Sequence, residues 1–196
     1  MFTQAWWRSP RHVGAVAPSS IVLGERLAAV VPAGDDAVIV ELGAGTGAVT
    51  AGIEHRRSPR STFLAFERDG ELARQLTWRI PGVRVIVDDA RNLRTHLAEH
   101  SLSTADAVVC GLPWANFSEH EQADLLDTIC DVLAPGGAFT TFAYVHALVL
   151  PAARRFHAEL AVRFEEVLPT RTVLRNLPPA ITYVCRRPRV GGRTAR

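Results

Sequence analysis

The sequence contains no lysine, few cysteines and no metal-binding histidine pattern. Its 22 basic residues are all arginine, and it has three cysteines and seven histidines in 196 residues. Cys110, Cys130 and Cys185 stand in apolar segments without C-x-x-C spacing, so we expect reduced core thiols in a cytoplasmic protein. The histidines form neither H-x-H nor H-E-x-x-H, which argues against a metal site.

Apolar runs of membrane-spanning length are also missing. Residues 132–153 carry no formal charge, but Pro135-Gly136-Gly137 and Thr140-Thr141 interrupt them. This pattern predicts a turn followed by a buried strand rather than a membrane span. Trp6-Trp7-Arg8 stands where a signal peptide would have its apolar core, so we expect no secretory signal.

Acidic residues are absent from both ends of the chain. Residues 1–24 contain two arginines and no acid, and residues 167–196 contain seven arginines and no acid. Since the formal net charge is +2, these nine arginines leave −7 for the middle. Such ends suit an anionic membrane surface or a nucleic acid, although a solvated tail on a globular enzyme would look the same. Trp7 and its neighbours could enter a lipid interface or cover a cofactor pocket.

The length and a hydrophobic content of 47% predict a single α/β domain. Its main motif is the apolar run 38–42 followed by Gly43-Ala44-Gly45-Thr46-Gly47-Ala48. Gly43 and Gly45 permit positive φ in a tight turn, and Gly47 lets a helix begin close to a ligand. The loop fits a dinucleotide through its G-x-G-x-x-A pattern. It equally fits S-adenosylmethionine (SAM), for which an acid two positions before the first glycine, here Glu41, is typical.

Polar residues follow the next two predicted strands. The strand 61–66 ends at Glu67, which lies 20 residues past Gly47, where a carboxylate can accept ribose hydroxyls. The strand 83–87 runs into Asp88-Asp89-Ala90. We favour Asp89 over Asp88 as acceptor for an adenine amino group, although either could cap the following helix.

Aromatic residues follow the fourth and fifth predicted strands. The strand 106–110 ends in Gly111-Leu112-Pro113-Trp114, a rigid wall for a flat or cationic group. Trp114 could attract a cation through its ring, or it could be a core residue. The strand 138–145 carries Tyr144 and His146 to the same edge, and both are candidate proton acceptors.

Several of these stretches together resemble class I SAM-dependent methyltransferases. The stretches are Glu41–Gly47, the strand end at Glu67, Asp89-Ala90 and Leu133–Gly137. A narrower likeness, to bacterial phospholipid N-methyltransferases, lies in residues 9–20, in Gly111-Leu112-Pro113 with Asn116-Phe117, and in Arg175–Ala180. That family methylates phosphatidylethanolamine and is related to ribosomal RNA adenine dimethylases.

The resemblance implies the fold, the domain boundaries and the cofactor. We expect a Rossmann-like, seven-stranded, mostly parallel sheet of order 3-2-1-4-5-7-6 with strand 7 antiparallel. Residues 35–187 would form the SAM-binding domain, residues 1–34 a helical, membrane-facing cap over the cofactor, and residues 188–196 a basic disordered tail. The expected SAM-binding residues are Glu41, Gly43, Ala44, Gly45, Gly47, Glu67, Arg68, Asp89, Ala90 and Gly111. The expected acceptor-binding residues are Trp7, Leu112, Pro113, Trp114 and Phe117.

The function expected from this resemblance is methyl transfer to the amine of a phosphatidylethanolamine-type phospholipid at the inner membrane face. Trp114-Ala115 departs from the smaller aliphatic residues of the family, which leaves a soluble amine or natural product as an alternative acceptor. A SAM-binding module without turnover is a further alternative. Ribosomal RNA adenine methylation ranks lower, because Gly111 stands where adenine methylases carry Asn or Asp.

Overall fold

Seven strands form one sheet in the computed structural model, which describes residues 20–189. The strands are β1 (Val38–Leu42), β2 (Thr62–Phe66), β3 (Arg84–Ile86), β4 (Ala105–Cys110), β5 (Leu133–Tyr144), β6 (Phe164–Pro169) and β7 (Ala180–Pro188). Their order is β3-β2-β1-β4-β5-β7-β6. Only β7 runs antiparallel to its two neighbours, β5 and β6, among the strands of this described part. The predicted order and orientation are therefore confirmed.

Six α-helices lie within residues 20–189, and five of them connect successive strands. They are α1 (Ile21–Leu27), α2 (Ala48–Arg56), α3 (Gly70–Arg79), α4 (Leu93–Glu99), α5 (Glu119–Val132) and α6 (Pro151–Arg163). Side-chain oxygens cap three of them: Ser20 accepts from Leu23 N, Asp69 accepts from Leu72 N, and Ser118 forms a capping box with Glu121. Such caps satisfy first-turn N–H groups that have no partner inside the helix.

The sheet separates two apolar cores. Val40 and Leu42 of β1 face the core that α4, α5 and α6 cover, whereas Ile39 faces the core that α1 and α2 cover. Successive side chains of a strand point to opposite faces, so one apolar run supplies both cores. The parallel strands are thereby buried on both faces, and their carboxyl ends meet at one open edge.

Helix α1 is packed into the second of these cores. Its Leu23 and Leu27 are fully buried, and Thr140 Oγ1 of β5 donates to Leu27 O at 2.9 Å. Gly24 permits the approach to α2, because a Cβ atom at this position would lie 2.2 Å from Ala48 O. The described part of the predicted cap is thus joined to the sheet, while residues 1–19 lie outside the described residues.

Most ends of β1 to β5 lie within one residue of the prediction, and two differences change the predicted turn and tail. Strand β5 already begins at Leu133, because Pro135-Gly136-Gly137 forms an irregularity within the strand, with Gly136 at φ 85°, rather than a turn before it. Strand β7 continues to Pro188, which pairs with Phe164 of β6. The predicted tail therefore loses its first residue to the sheet, and residues 190–196 lie outside the described residues.

The three cysteines are unpaired thiols inside the domain, as expected. Burial raises the pKa of each thiol to about 12, so none is a thiolate at neutral pH. No helix within residues 20–189 has the length and apolar composition needed to cross a membrane. The same residues contain no group of three or more His, Cys, Asp or Glu side chains arranged to hold a metal ion.

Candidate cofactor and acceptor site

The glycine loop after β1 adopts the predicted left-handed backbone conformation. Gly43, Gly45 and Gly47 have φ of 78°, 53° and 90°. The loop is held against β2, because Gly43 N and Ala44 N both donate to Phe66 O, at 2.9 and 3.0 Å. A Cβ atom at Gly43 would lie 2.6 Å from Leu112 Cδ2, so a side chain at this position would collide with the loop after β4. The positive φ favours glycine here, and any side chain would in addition require Leu112 to move.

The Glu67 carboxylate ties this loop to the next helix. Glu67 is only 4% exposed. Its Oε2 accepts from Gly45 N and its Oε1 accepts from Asp69 N, both at 2.8 Å. Each carboxylate oxygen has a further lone pair, so these bonds leave acceptor capacity for a ligand hydroxyl.

A cavity of about 350 Å³ opens at the carboxyl edge beside Glu67. Its lining comes from the segments that follow β1, β2, β3 and β4 and from the first half of α5. The lining residues are Gly43, Phe66, Glu67, Arg68, Asp88, Asp89, Ala90, Arg91, Gly111, Leu112, Pro113, Asn116, Phe117, Glu121 and Leu125. Four strands therefore deliver predicted cofactor and acceptor residues to a single cavity, as expected at the carboxyl ends of parallel strands.

Asp88 and Asp89 both reach the cavity but differ in their partners. Asp89 accepts two side-chain hydrogen bonds from Arg91, each at 2.9 Å, and lies 3.7 Å from Arg68 Nη1. Asp88 Oδ2 lies 2.8 Å from His96 Nε2, and both its oxygens accept from Asn92. The hydrogen bonds from Arg91 hold the pKa of Asp89 below its usual value. The hydrogen bond from His96 does the same for the pKa of Asp88. Both are ionised acceptors at neutral pH, and the preference for Asp89 stays a prediction.

Glu41 is buried behind the loop rather than in the cavity wall. Its exposed fraction is 0%, and its Oε2 accepts from Thr50 Oγ1 at 2.8 Å. The other oxygen, Oε1, has no hydrogen-bond partner among the described residues. Burial raises the pKa of Glu41 to about 8, so this carboxyl group is mostly protonated at neutral pH.

Trp114 is a core residue in this structure, and its role as an acceptor wall stays a prediction. Its side chain is 4% exposed and does not line the cavity. The indole stacks on Phe156 at a centroid distance of 4.6 Å, and Nε1 donates to Thr141 Oγ1 at 2.6 Å. The short helical turn Trp114–Asn116 directs the indole under α6, leaving Leu112, Pro113 and Phe117 at the cavity.

Tyr144 and His146 lie at the carboxyl end of β5 but outside the cavity lining. Their rings stack with centroids 5.7 Å apart, and Tyr144 also contacts Phe142 edge-on. Burial raises the pKa of Tyr144, which makes it a poorer proton acceptor at neutral pH. Their role as proton acceptors stays a prediction, and the remaining predicted acceptor residue, Trp7, lies outside the described residues.

Comparison with known proteins decides between the two cofactors that the glycine loop allows. Residues 39–137 match the methyltransferase domain family. A curated ornithine lipid N-methyltransferase from Singulisphaera acidiphila is 34% identical over 189 residues, which cover 95% of this chain and 94% of that protein. The chain belongs to the SAM-dependent methyltransferases of class I.

Solved structures agree with this fold. A putative rRNA methylase from Clostridium thermocellum superposes with a TM-score of 0.60 at 16% identity, covering 86% of this chain and 96% of that one. Fibrillarin from Aeropyrum pernix, solved with bound SAM, gives a TM-score of 0.60 at 15% identity, with coverages of 84% and 74%. At these identities the likeness concerns the fold alone.

The methyltransferase has side chains suited to both ends of SAM. Glu67 can accept the ribose hydroxyls, and Asp88 or Asp89 can accept the adenine amino group. The unpartnered Oε1 of Glu41 lies on the side of the loop next to α2, outside the cavity lining, and its contact with the ammonium of the methionyl end stays a prediction. The residues present therefore fit the cofactor.

Sequence reasoning missed several lining residues. These are Phe66, Arg91, Asn116, Glu121 and Leu125. Glu121 is part of the capping box of α5, and its sequence signal is that of a helix start. Arg91 follows the acidic pair by two positions, but only the folded turn Ala90–Asn92 brings its guanidinium back onto Asp89.

We predict that Glu41 makes the stability of the cofactor-free protein fall with rising pH. Between pH of about 4.5 and about 8 the unfolded chain ionises Glu41 while the folded protein keeps it protonated, so the free energy of unfolding decreases as pH rises through this window. Glu41→Gln, which keeps a neutral group in place, should flatten this part of the slope in urea unfolding.

Glu25→Gln, at an exposed glutamate of α1, is the matched control and should leave the slope as in the wild type. If Glu41 also meets the cofactor's ammonium, SAM binding at neutral pH releases a proton from the wild type but not from Glu41→Gln. Titration calorimetry in buffers of different ionisation enthalpy measures this release. Equal pH slopes for wild type and Glu41→Gln would contradict the assignment.

We further predict that Trp114→Phe affects stability rather than acceptor binding. The variant leaves Thr141 Oγ1 without its buried donor, which should lower the free energy of unfolding by roughly 1–3 kcal/mol. The KM for the acceptor should stay unchanged. The pair Trp114→Phe with Thr141→Val removes both polar partners and should recover part of the loss. A raised KM with unchanged stability would restore Trp114 as an acceptor wall.

Proposed function

We propose that this enzyme transfers methyl groups from SAM to the primary amine of a membrane lipid head group. The observation that carries the proposal is the 34% identity to an ornithine lipid N-methyltransferase over almost the whole of both chains. The matched region covers 95% of the chain and therefore includes segments outside the cofactor motifs.

Two head groups are candidates. Phosphatidylethanolamine follows from the sequence resemblance, and ornithine lipid follows from the name of the relative. Ethanolamine and ornithine both present a primary alkyl amine, so one site chemistry serves either. We propose phosphatidylethanolamine as the finer assignment and ornithine lipid as the competitor that the assay must separate.

The amine must lose a proton before it can attack. With a pKa near 10, freeing its lone pair at neutral pH costs roughly 4 kcal/mol. SAM supplies an electrophilic methyl group on a sulfonium, and the enzyme contributes by holding the amine in line with it. Such positioning can contribute roughly 7–11 kcal/mol, which exceeds the cost of deprotonation. Positioning of the amine is therefore the main catalytic effect that we propose for this enzyme.

The walls of the cavity support an alkyl amine acceptor. Leu112, Pro113 and Phe117 offer apolar surface, and Glu121 adds a carboxylate whose pKa is held low by hydrogen bonds from Ser118 N and Ser118 Oγ. An ionised carboxylate at this wall favours a cationic head group during entry. Trp114, which had favoured a soluble amine, lies in the core and no longer supports that alternative.

This enzyme lacks the Asn or Asp side chain that adenine methylases carry at the end of the fourth strand. Gly111 stands there, and its Cα faces the backbone of the glycine loop: a Cβ atom would lie 2.9 Å from Gly43 O. No side chain can be added at this position without moving the loop. The rRNA methylases among the solved structures share the fold at 16% and 17% identity, which carries no acceptor assignment.

Purified protein with methyl-labelled SAM and vesicles tests the proposal. We expect label in the lipid fraction with phosphatidylethanolamine, and a second reaction series with ornithine lipid ranks the two head groups. At pH values below the amine pKa, the rate should rise about tenfold for each unit by which the pH is increased. The reason is that the fraction of free amine rises by that factor.

Matched acceptors serve as controls. Phosphatidylcholine has a quaternary nitrogen and N-acylated phosphatidylethanolamine has an amide, so neither should take a methyl group. Free ethanolamine and free ornithine test the soluble alternative. Label in the soluble amines but in neither lipid would overturn the proposal.

A further inference from the structure

Large apolar side chains are exposed in two segments at one corner of the enzyme. Val149 and Leu150 follow β5, and they are 70% and 50% exposed. Leu174 and Leu177 precede β7, and they are 73% and 74% exposed. Isolated exposed leucines are ordinary, but four large aliphatic residues in two adjoining segments call for a partner.

The two segments adjoin because β5 and β7 are antiparallel. Tyr144 at the end of β5 pairs with Ala180 at the start of β7, and Val145 N donates to Pro179 O at 2.9 Å. The chain that leaves β5 and the chain that enters β7 therefore share one edge of the sheet. This is the carboxyl edge, where the cofactor cavity also opens.

Buried contacts fix the segment before β7 while its leucines stay outside. Asn176 is 1% exposed, its Oδ1 accepts from Ser20 N at 2.8 Å, and its Nδ2 donates to Pro178 O at 2.7 Å. Val173 is buried and bonds through its backbone to Ala180. The Arg175–Ala180 motif, which no cofactor contact explains, thus holds Leu174 and Leu177 in an outward position.

Positive charge surrounds these leucines. Arg171 and Arg175 are exposed, and neither forms an ion pair within residues 20–189. Acidic residues are absent from the sequence between positions 145 and 158 and from position 167 onward. Exposed apolar side chains with unneutralised arginines match an anionic lipid surface, where apolar groups enter the head-group region and arginines meet phosphates.

We propose that Val149, Leu150, Leu174, Leu177, Arg171 and Arg175 form a docking surface for an anionic lipid bilayer. The proposal rests on the proposed function, since an enzyme that methylates a lipid amine must reach it at the bilayer. Docking at this corner turns the carboxyl edge of the sheet toward the membrane. A lipid head group then reaches the cavity without its acyl chains leaving the bilayer.

Vesicle sedimentation tests the surface separately from the reaction. The full chain, without SAM, is mixed with vesicles of phosphatidylcholine or of an equimolar mixture of phosphatidylcholine and phosphatidylglycerol. Neither lipid has to be an acceptor, so failure of the proposed function would leave this result intact. We expect tighter binding to the anionic vesicles, and binding that weakens with added salt.

Two double variants dissect the surface. Leu174→Ser with Leu177→Ser should lose at least tenfold in affinity for anionic vesicles. Arg171→Gln with Arg175→Gln should lose about 30-fold, at about 1 kcal/mol per arginine. Trp78→Ser is the matched control, because Trp78 is 85% exposed but lies on α3, next to β3 at the far side of the sheet order. Its vesicle binding should equal that of the wild type.

Each outcome decides the proposal. If the melting temperature and SAM binding of both double variants equal those of the wild type, a loss of vesicle binding is a local effect of the substitutions. If both double variants bind anionic vesicles as tightly as the wild type does, the proposed docking surface is wrong. The proposal would also be overturned if only the double variant Trp6→Ala with Trp7→Ala lost vesicle binding. That result would assign the membrane contact to the amino-terminal segment. A change from dimer to monomer on leucine substitution would show that a second copy of the chain covers the surface.

Discussion

The hydrogen bonds of the Glu67 carboxylate hold the cofactor site together. One oxygen accepts from Gly45 N in the loop after β1, and the other from Asp69 N at the start of α3. Two segments that are 24 residues apart in sequence are thereby set on either side of one carboxylate, which is also part of the cavity wall. Glu67 is only 4% exposed, and backbone N–H groups left without an acceptor at this position would cost about 1–3 kcal/mol each. The shape of the loop depends on this side chain, for which ribose binding stays a prediction.

The parallel sheet brings the residues proposed for the acceptor to the same edge as those proposed for the cofactor. Strands β1 to β4 bring the glycine loop, Glu67, the acidic pair and Leu112 to one edge. At the same edge β5 and the antiparallel β7 present exposed leucines and arginines. The antiparallel strand matters here, because it places the entry of β7 beside the exit of β5. The cofactor cavity and the proposed membrane contact are thus two sections of one edge, and the buried Asn176 joins the second section to α1.

The positions of the glycine loop and of Glu67 at two strand ends could be predicted from sequence, because each follows an apolar run that marks a strand. The apolar run before Gly43 predicts a strand, and the glycines that follow mark where it ends. The next apolar run predicts a second strand, and Glu67 stands directly at its end. Trp114 could not be placed in this way, because its burial depends on Phe156 and Thr141, which are distant in sequence. The same holds for Asn176, whose partner Ser20 lies 156 residues away. The raised pKa of Glu41 depends on complete burial, which an acidic residue in a strand pattern does not reveal.

The central claim is that Glu67 shapes the loop that binds SAM, and calorimetric titration of SAM into Glu67→Gln tests it most directly. A glutamine keeps the volume but can accept only through one oxygen, so one of the two backbone N–H groups loses its partner. We expect Glu67→Gln to bind SAM roughly 10- to 100-fold more weakly, and the exposed Glu25→Gln variant to bind it as the wild type does. Wild-type affinity in Glu67→Gln, or tighter binding of NAD than of SAM by the wild type, would contradict it.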